Sequence, residues 1–321
     1  TSGTQTYTGA VTVNAGLTLS ASGITTGSTL AASANALTLT TDAIALGGAV
    51  SGTSTLVIQP KTDTTTIGLG TDASGTLSLT DTELGRLSDG FTSITIGSTT
   101  GTGAINYATS GSYTFNDPLT IRSATSGGGA ISATTALATG TNNLTITTGG
   151  TVGLAGVTSG ALAVTGNGIT LNGDITTSGT QGYTGAVTLG GGDRTLQGTT
   201  ITTSSTLAGG SNALTVTGNA SFGGAITGVT NLSVSGTTTV GADITTSGTQ
   251  GYTGAVTLGA DTILTSSGSG AINFASTVNG AKNLTVNTSG ATTFGGVVGA
   301  TTNLTSITTD AGGTVSFGGN I

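Results

Sequence analysis

The segment DITTSGTQGYTGAVTLG occurs twice without a change, at Asp174–Gly190 and Asp243–Gly259. A near copy, TSGTQTYTGAVTV, opens the sequence at Thr1–Val13, and a weaker one, TSGSYTF, lies at Thr109–Phe115. Copies that recur along a chain are typical of repeat architectures, in which stacked units bury a shared core. We therefore expect one continuous solenoid over residues 1–321. Its long repeats start near residues 1, 109, 176 and 245.

A shorter period lies inside the long one and consists of two aliphatic residues separated by a small or polar one. This alternation is typical of a strand with one buried face. Neighbouring pairs are commonly about 19 residues apart, and turn-forming Gly, Asn, Ser and Asp fill the intervals. The pairs are Leu17/Leu19, Leu37/Leu39, Leu56/Ile58, Leu77/Leu79, Ile94/Ile96, Leu144/Ile146, Leu162/Val164, Leu214/Val216, Leu232/Val234 and Leu284/Val286.

Short strands that recur about every 19 residues fit the coils of a parallel β-helix, which is an all-β fold. Each coil has two or three strands, and the offset between the exact copies corresponds to three to four coils. Aliphatic side chains point inward, Thr and Ser point outward, and glycines occupy the corners. Asparagine side chains at strand starts are expected to form a ladder between coils. These are Asn143, Asn231, Asn283 and Asn303.

One segment, residues 59–91, departs from the pattern and is interpreted as an irregular insertion. It contains Pro60 and Lys61, and the run Thr80-Asp81-Thr82-Glu83 has the spacing of a helix capping box. Leu84 and Leu87 follow three residues apart. The sequence therefore predicts one short helical turn over residues 82–88.

Composition excludes several classes of function. The chain has 59 Gly but also 34% hydrophobic residues, which favours an ordered all-β fold over a disordered one. It has no His or Cys, so we expect no thiolate chemistry, no metal site and no cofactor. Only 5 basic residues stand against 12 acidic ones, which argues against binding to nucleic acid. No apolar stretch reaches the length of about 18 residues that predicts a transmembrane segment.

Two groups of acidic residues are candidate sites. Asp174 and Asp243 occupy equivalent turn positions and resemble calcium ligands, although only Gly190–Asp193 faintly matches a calcium-binding β-roll repeat. Turn aspartates that accept hydrogen bonds from backbone N–H groups are the favoured interpretation. Asp81 and Glu83, near Asp89 and Arg86, resemble a polysaccharide-cleaving pair. We favour solvated charges there and expect no enzyme activity.

Aromatic residues recur at matching places in the repeats. Four tyrosines are interpreted as one repeat position and are candidates for contact or stacking with sugars or neighbouring molecules: Tyr7, Tyr113, Tyr183 and Tyr252. Phe222, Phe294 and Phe317 each precede a Gly-Gly pair. Packing in the core is the alternative for both sets, and we favour it.

Threonine and asparagine allow two further interpretations. Pairs such as Thr38/Thr40, Thr145/Thr147 and Thr215/Thr217 have the local pattern of an ice-binding face, but the variable coil length argues against a flat lattice. Asn-x-Ser/Thr sequons permit glycosylation and follow from the composition of the repeat. They include Asn143, Asn231, Asn283, Asn287 and Asn303.

Three segments resemble the filamentous-haemagglutinin-type large exoproteins and giant adhesins of Gram-negative bacteria. They are GSGAINFASTVNGAKNLTVNTSGATTFGGVVG at Gly268–Gly299, DITTSGTQGYTGAVTLGAD at Asp243–Asp261 and TLSLTDTELGRLSDGFTSITIG at Thr76–Gly97. The resemblance implies a single-stranded right-handed parallel β-helix that is secreted and located outside the cell or at its surface. It implies roles in adhesion, aggregation or biofilm matrix, and it carries no enzymatic residues.

The sequence therefore favours a structural or adhesive extracellular fibre, the repeat shaft of a bacterial surface adhesin or matrix filament. The alternative is a ligand-binding solenoid that recognises a glycan or ice. The segment GGNI at Gly318–Ile321 resembles the NGDI and GADI that precede internal repeats, and the chain opens on TSGTQ. We accordingly expect its ends to meet other copies, in tandem or head to tail, so its expected partners are itself and a glycan or cell surface.

Overall fold

The structure, a computed structural model, describes residues 1–310 and 312–321. It is an all-β parallel β-solenoid of about 16 turns with almost no helix, which confirms the predicted fold class. The chain divides into two compact units, Thr1–Ile169 and Thr170–Ile321. The expectation of one continuous domain over residues 1–321, which includes Ala311 outside the described residues, stays a prediction.

Mostly short strands and one helix make up the first unit, and its last strand continues two residues past Ile169. They are β1 (Thr4–Tyr7), β2 (Val11–Thr12), β3 (Leu17–Ser20), β4 (Gly23–Thr26), β5 (Leu30–Ala31), β6 (Leu37–Thr40), β7 (Ile44–Leu46), β8 (Val50–Ser51), β9 (Thr55–Gln59), β10 (Ile67–Leu69), β11 (Leu77–Leu79), α1 (Asp81–Leu84), β12 (Ser93–Ile96), β13 (Ile105–Tyr107), β14 (Leu119–Arg122), β15 (Ile131–Ala133), β16 (Leu137–Ala138), β17 (Leu144–Thr147), β18 (Thr151–Leu154), β19 (Val157–Ser159) and β20 (Leu162–Leu171).

These strands stack in three parallel ladders, here called A, B and C. Ladder A contains β1, β4 and β7, then β11, β10, β13, β15 and β18. Ladder B contains β2, β5 and β8, and later β16 and β19. Ladder C is the most regular, because β3, β6, β9, β12, β14, β17 and β20 pair in succession. Inward Leu, Ile and Val side chains fill the core, as the alternating pattern predicts.

The number of residues in a turn varies along a ladder. The strands of the ladder nevertheless stay paired in register. In ladder C the partners Leu144↔Leu162 enclose a turn close to the predicted length, whereas Leu119↔Leu144 enclose a longer one. Some corners admit only glycine. Gly97 has φ +97°, and a Cβ there would lie 1.9 Å from the carbonyl oxygen of Arg122 in the next turn.

The turn between the register partners Leu56 and Ile94 is the longest of ladder C and contains the predicted irregular segment 59–91. β10 and β11 pair in parallel within it, at Ile67↔Leu77. β10 also pairs with β13, whereas β11 contacts β7. Ladder A therefore runs β7, β11, β10, β13. Strand β11 comes after β10 in the sequence but lies before it in the ladder.

The predicted helical turn is present but its bounds are different. α1 covers Asp81–Leu84 and begins with the predicted capping box, in which Thr80 and Glu83 bond each other's backbone N–H. The extension to residue 88 was wrong, because Leu87 leaves the helix and forms a parallel bridge with Val50 in ladder B. Both leucines after the capping box are buried, as their spacing indicated.

Longer strands appear in the second unit, some of which run through a corner from one ladder to the next. They are β21 (Ile175–Thr177), β22 (Gln181–Leu189), β23 (Arg194–Thr203), β24 (Leu207–Phe222), β25 (Ile226–Val234), β26 (Thr238–Val240), β27 (Ile244–Thr246), β28 (Gln250–Tyr252), β29 (Val256–Leu258), β30 (Thr262–Ser266), β31 (Ile272–Phe274), β32 (Val278–Asn279), β33 (Asn283–Asn287), β34 (Ala291–Phe294), β35 (Ser306–Thr309) and β36 (Thr314–Phe317).

Three ladders, here called D, E and F, also organise this unit. Ladder D contains β21, the first part of β23, the middle of β24, the end of β25, then β28, β31, β34 and β36. Ladder E contains the first part of β22, the ends of β23 and β24, then β26, β29 and β32. Ladder F contains the end of β22, the first parts of β24 and β25, then β27, β30, β33 and β35.

The two identical copies lie on different ladders of this unit. In the first copy Ile175 is in ladder D and Tyr183 in ladder E. In the second copy Ile244 is in ladder F and Tyr252 in ladder D. The offset between the copies is therefore three complete turns plus two thirds of a turn, within the predicted range of three to four coils.

Candidate functional site

The acidic pair on α1 is engaged in holding the insertion in place. Glu83 accepts hydrogen bonds from Thr80 and, through Oε1, from the backbone N–H of Leu46 at 2.9 Å. Asp81 accepts hydrogen bonds from the side chain and backbone N–H of Ser110 and from the backbone N–H of Thr71. These bonds, that of the Ser110 hydroxyl first, hold the pKa of Asp81 below its ordinary value. Both carboxylates thus act as acceptors that join separate turns.

A small aromatic cluster lies beside the same helix. The Tyr113 hydroxyl donates a 2.6 Å hydrogen bond to the carbonyl of Leu84, which has no partner inside the helix. The Tyr113 ring meets that of Phe115 edge to face, with centroids 4.9 Å apart, and the Tyr107 ring lies 6.5 Å from that of Phe115. Burial raises the pKa of Tyr113 to about 12, so the phenol stays a donor. The cluster anchors the insertion to the following turn.

Tyr183 and Tyr252 are core residues, each 1% exposed. Each phenol donates a 2.9 Å bond to the glutamine two residues before it, Gln181 or Gln250. Burial raises the pKa of both tyrosines. Their rings face the interior, so these two tyrosines pack in the core, as we favoured from the sequence.

The buried glutamine of each copy fixes the corner before it. Nε2 of Gln181 lies 3.2 Å from the carbonyl of Ile175 and 2.6 Å from the carbonyl of Gln197 in the next turn. In the second copy, Nε2 of Gln250 makes the corresponding contacts with the carbonyls of Ile244 and Thr265, at 3.3 and 2.9 Å. The same sequence therefore builds the same polar network on two different ladders.

The other two tyrosines differ from this pair. Tyr7 donates to Gln5 at 3.2 Å in a half-buried setting, so the near copy at the start of the chain repeats the motif. Tyr113 does not occupy the equivalent position. The residue six places after the repeat threonine is Phe115, which is 1% exposed, so aligning Tyr113 with the other tyrosines was wrong by two positions.

The phenylalanines form a stack along ladder D. The rings of Tyr252, Phe274, Phe294 and Phe317 follow one another with centroids 5.3, 4.9 and 5.0 Å apart and interplanar angles of 12°, 7° and 7°. Parallel strands in register place equivalent side chains at one strand spacing, ~4.8 Å, and this spacing produces the stack. Phe222 is also buried, whereas Phe317 in β36 is 42% exposed.

Aspartates in the turns accept hydrogen bonds from the backbone of the next turn. Asp174 Oδ1 accepts from the N–H of Thr195 at 2.9 Å, and Asp243 Oδ1 accepts from that of Ile263 at 2.8 Å. Asp193 in the Gly190–Asp193 segment does the same for Ala213. Among residues 1–310 and 312–321, no three acidic side chains are grouped closely enough to hold a metal ion. The arrangement matches the favoured interpretation of these aspartates.

Asparagines of the predicted sequons use their amides in a similar way. Asn143 and Asn231 accept hydrogen bonds from the backbone N–H groups of Ala161 and Thr249 in the next turn. Asn283 donates to Asp261 and accepts from Ser306, which links three turns. At these three positions the amides bond to backbone, aspartate and serine and not to one another, so the predicted ladder of asparagine amides between coils was wrong here.

Ladder C presents the most regular outer surface of the first unit. One residue per strand points outward at the same register position: Thr18, Thr38, Val57, Thr95, Thr120, Thr145 and Ala163. We call this set the threonine row. The next outward positions are less regular, because Gln59 bonds to Thr40 and the Arg122 side chain lies over Gly97. Irregular turn lengths leave the row in register, a property that the sequence did not predict.

Besides a depression with an apolar lining that includes Val297, Leu304 and Ile307, the surface has shallow ones lined mainly by hydroxyl groups, glycine and small apolar residues. One is lined by Thr109, Ser110 and Thr135, and another in the second unit by Ser211, Thr245 and Ser267. In the described part of the chain no helix is long and apolar enough to cross a membrane. The acids of α1 do not line these depressions and are hydrogen-bonded within the fold.

Comparison with known proteins finds no matching family model, no matching curated protein and no matching solved structure. The β-solenoid class therefore follows from the strand pairing alone.

Proposed function

We propose that this chain is the repeat shaft of an extracellular structural fibre, of the kind found in large bacterial adhesins and matrix filaments. The observation that carries the proposal is the placement of the two identical copies on different ladders. The second copy keeps the core residues and the corner network of the first, but its outer surface faces another side of the solenoid. A binding face would require its copies to return to one side, whereas a shaft requires only length.

The internal hydrogen bonding also fits a role under mechanical tension. Ladders D, E and F link each turn to the next by backbone hydrogen bonds, and Asp or Asn side chains add a bond between turns at several corners. Force along the solenoid would therefore have to break several bonds at once at each turn. The resemblance to filamentous-haemagglutinin-type exoproteins supports the same function and an extracellular or cell-surface location.

Self-association is the second part of the proposal. Charged residues are 5% of the chain, so little electrostatic repulsion opposes lateral contact between threonine-rich surfaces. The expected head-to-tail contact between copies stays a prediction as well. Both contacts would hold fibres together, and the same threonine-rich surfaces would contact a glycan-covered cell surface.

Sedimentation velocity over a concentration series, with electron microscopy of the same samples, tests this function. We expect rods that associate into bundles or filaments as concentration rises. Glutamate at the outward positions Thr227 and Thr239 should weaken lateral association because it adds to the net charge of −7, whereas serine at the same positions should not. Monomers at every concentration, together with selective binding on a glycan array, would overturn the proposal.

The threonine row favours a second candidate function, the binding of ice. Five of its seven side chains are threonines, and all seven lie on consecutive in-register strands at ~4.8 Å intervals, which provides one regular row along which water could be ordered. Thermal hysteresis is the test. The variant Thr95→Lys with Thr120→Lys should abolish it, whereas Ser132→Lys on ladder A should not. The absence of hysteresis in the unmodified chain would rule out this function.

A further inference from the structure

The two identical segments show how one sequence folds in two different surroundings. Gln181 and Gln250 are both buried, and Nε2 lies 3.2 Å from the carbonyl of Ile175 in the first copy and 3.3 Å from that of Ile244 in the second. Three of the four partners of this network lie within six positions of the glutamine. The segment therefore carries the information for its own corner wherever it lies in a turn.

The offset between the copies is a whole number of strands but not a whole number of turns. From Ile175 in ladder D, the chain returns to this ladder at Leu196, Val216 and Val234. It then passes through ladder E at Thr238 and reaches ladder F at Ile244. Eleven strand positions thus separate the copies, and eleven is not a multiple of three.

We propose that the building unit of this solenoid is one side of a turn, meaning one strand with its corner, rather than one complete turn. Sides are interchangeable between ladders D, E and F, because each supplies inward aliphatic or aromatic residues in register with the strands above and below. This inference does not depend on the proposed function. It means that adding or removing one side rotates everything that follows by a third of a turn.

Interchangeable sides change how the outer surface is displayed. The outward residues Thr176 and Thr188 of the first copy lie on ladders D and F. Their counterparts Thr245 and Thr257 lie on ladders F and E. Any contact made by the outside of one copy is repeated by the other copy in a direction that differs by a third of a turn.

Deletions of three lengths test the proposal. Removing residues 238–243 takes out one side and places Ile244 where Thr238 lies, on ladder E above Ala220. The loss of Thr238 costs no hydrogen bond from its side chain, because its buried hydroxyl has no partner. Removing residues 238–255 takes out one complete turn and leaves every ladder unchanged. Removing residues 238–246 takes out one and a half sides and serves as the disruptive control.

Disulfide trapping reports which strands become neighbours, and the chain has no native cysteine to interfere. Ser221 pairs with Thr239 in the full chain, so S221C with T239C is the positive control. Neighbouring parallel strands are ~4.8 Å apart, within disulfide range. After the one-side deletion Ser221 should pair with Thr245 instead. In the full chain these two residues lie on different ladders.

We expect the one-side and whole-turn deletions to fold cooperatively and the disruptive control to melt at a lower temperature than either of them. S221C with T245C should oxidise to a disulfide in the one-side deletion and stay reduced in the full chain. The proposal is overturned if the one-side deletion unfolds while the whole-turn deletion folds, or if it folds without this disulfide. If both deletions unfold, two duplications replace them as the test. Duplication of residues 244–249, which adds one side, should fold, and duplication of residues 238–246 should not. Any other result would overturn the proposal.

Discussion

The phenol of Tyr252 donates a 2.9 Å hydrogen bond to Oε1 of Gln250, and both side chains are buried. Nε2 of this glutamine donates to backbone carbonyls before it and in the next turn. An amide buried in an aliphatic core is costly unless its groups are paired, and here each is paired. The pair therefore stabilises the corner and fixes the register of the strands that meet there.

Replacing Gln250 by leucine should destabilise the protein strongly. The variant removes the acceptor of the buried Tyr252 phenol and the donor to the carbonyls of Ile244 and Thr265, and a buried group left unpaired costs about 1–3 kcal/mol. Urea denaturation should show a lower midpoint. Gln197 is the matched control, because its side chain is exposed and its alanine variant should unfold close to the original midpoint. Equal midpoints for the two variants would contradict this role.

The aromatic stack of ladder D should contribute to stability beyond simple burial. Phe274→Ala should cost about 4 kcal/mol, as is usual for a buried phenylalanine. A double-mutant cycle between Phe274 and Phe294, using leucine at each position, should give a coupling energy of about 1 kcal/mol, because stacked rings 4.9 Å apart attract each other. Additive effects of the two leucine variants would show that the rings only fill space.

Stability should fall on acidification, in part through Asp42. Burial acts to raise the pKa of this carboxyl, but hydrogen bonds from Thr62, Thr65 and the backbone N–H of Lys61 together hold its pKa below the ordinary value. A depressed pKa contributes stability above the ordinary pKa of about 3.9, and this contribution is lost as pH falls through the folded-state value. Melting temperatures between pH 5 and pH 2 should therefore fall less in Asp42→Asn than in the original chain. Parallel curves would contradict this contribution.

The Tyr113 hydroxyl should matter to the insertion. Tyr113→Phe removes the 2.6 Å bond to the carbonyl of Leu84, which then keeps only its bond from the N–H of Leu87, and should cost about 1 kcal/mol. Hydrogen exchange at residues 81–88 should increase in this variant, while exchange in ladder C stays unchanged. Tyr7→Phe is the control, because its bond is longer and half exposed. Unchanged exchange at residues 81–88 in Tyr113→Phe would show that this hydroxyl does not anchor the insertion.

Turn aspartates should act as hydrogen-bond acceptors rather than as metal ligands. Asp243→Asn keeps an acceptor oxygen for the N–H of Ile263 and should be nearly neutral, whereas Asp243→Ala should cost about 0.5 kcal/mol because this corner is exposed. A chelator should leave the melting temperature of the original chain unchanged. A fall in melting temperature on adding chelator would restore the calcium interpretation.

The strands that the sequence identified best are those with two aliphatic residues on the inward side. Leu37/Leu39 and Leu144/Ile146 both became strands of ladder C, as their alternation predicted. Strands such as Gly23–Thr26 were not predicted, because their inward positions include threonine and their pairing depends on neighbours in other turns. Local pattern therefore predicts about one side of each turn, and stacking determines the others.

The candidate site residues show a similar division. The capping box at Thr80 and Glu83 is local, so its spacing was sufficient to predict it. The burial of Tyr183 depends on a threonine and a glutamine whose roles appear only once the corner is folded. The signal was present as the fixed spacing of Thr177, Gln181 and Tyr183, which the second copy repeats. The same spacing would have shown that Phe115, not Tyr113, is the equivalent residue.

The reversed order of β10 and β11 has a consequence for how the chain acquires its structure. A solenoid that emerges from its first residue onward can add each strand to an edge that is already formed. Strand β10 appears before β11, yet β11 is the strand that contacts β7 and separates it from β10. If the strands are added in chain order, ladder A can therefore extend beyond β7 only after residues 77–79 are available, so folding would pause at the insertion until the chain extends past Leu79.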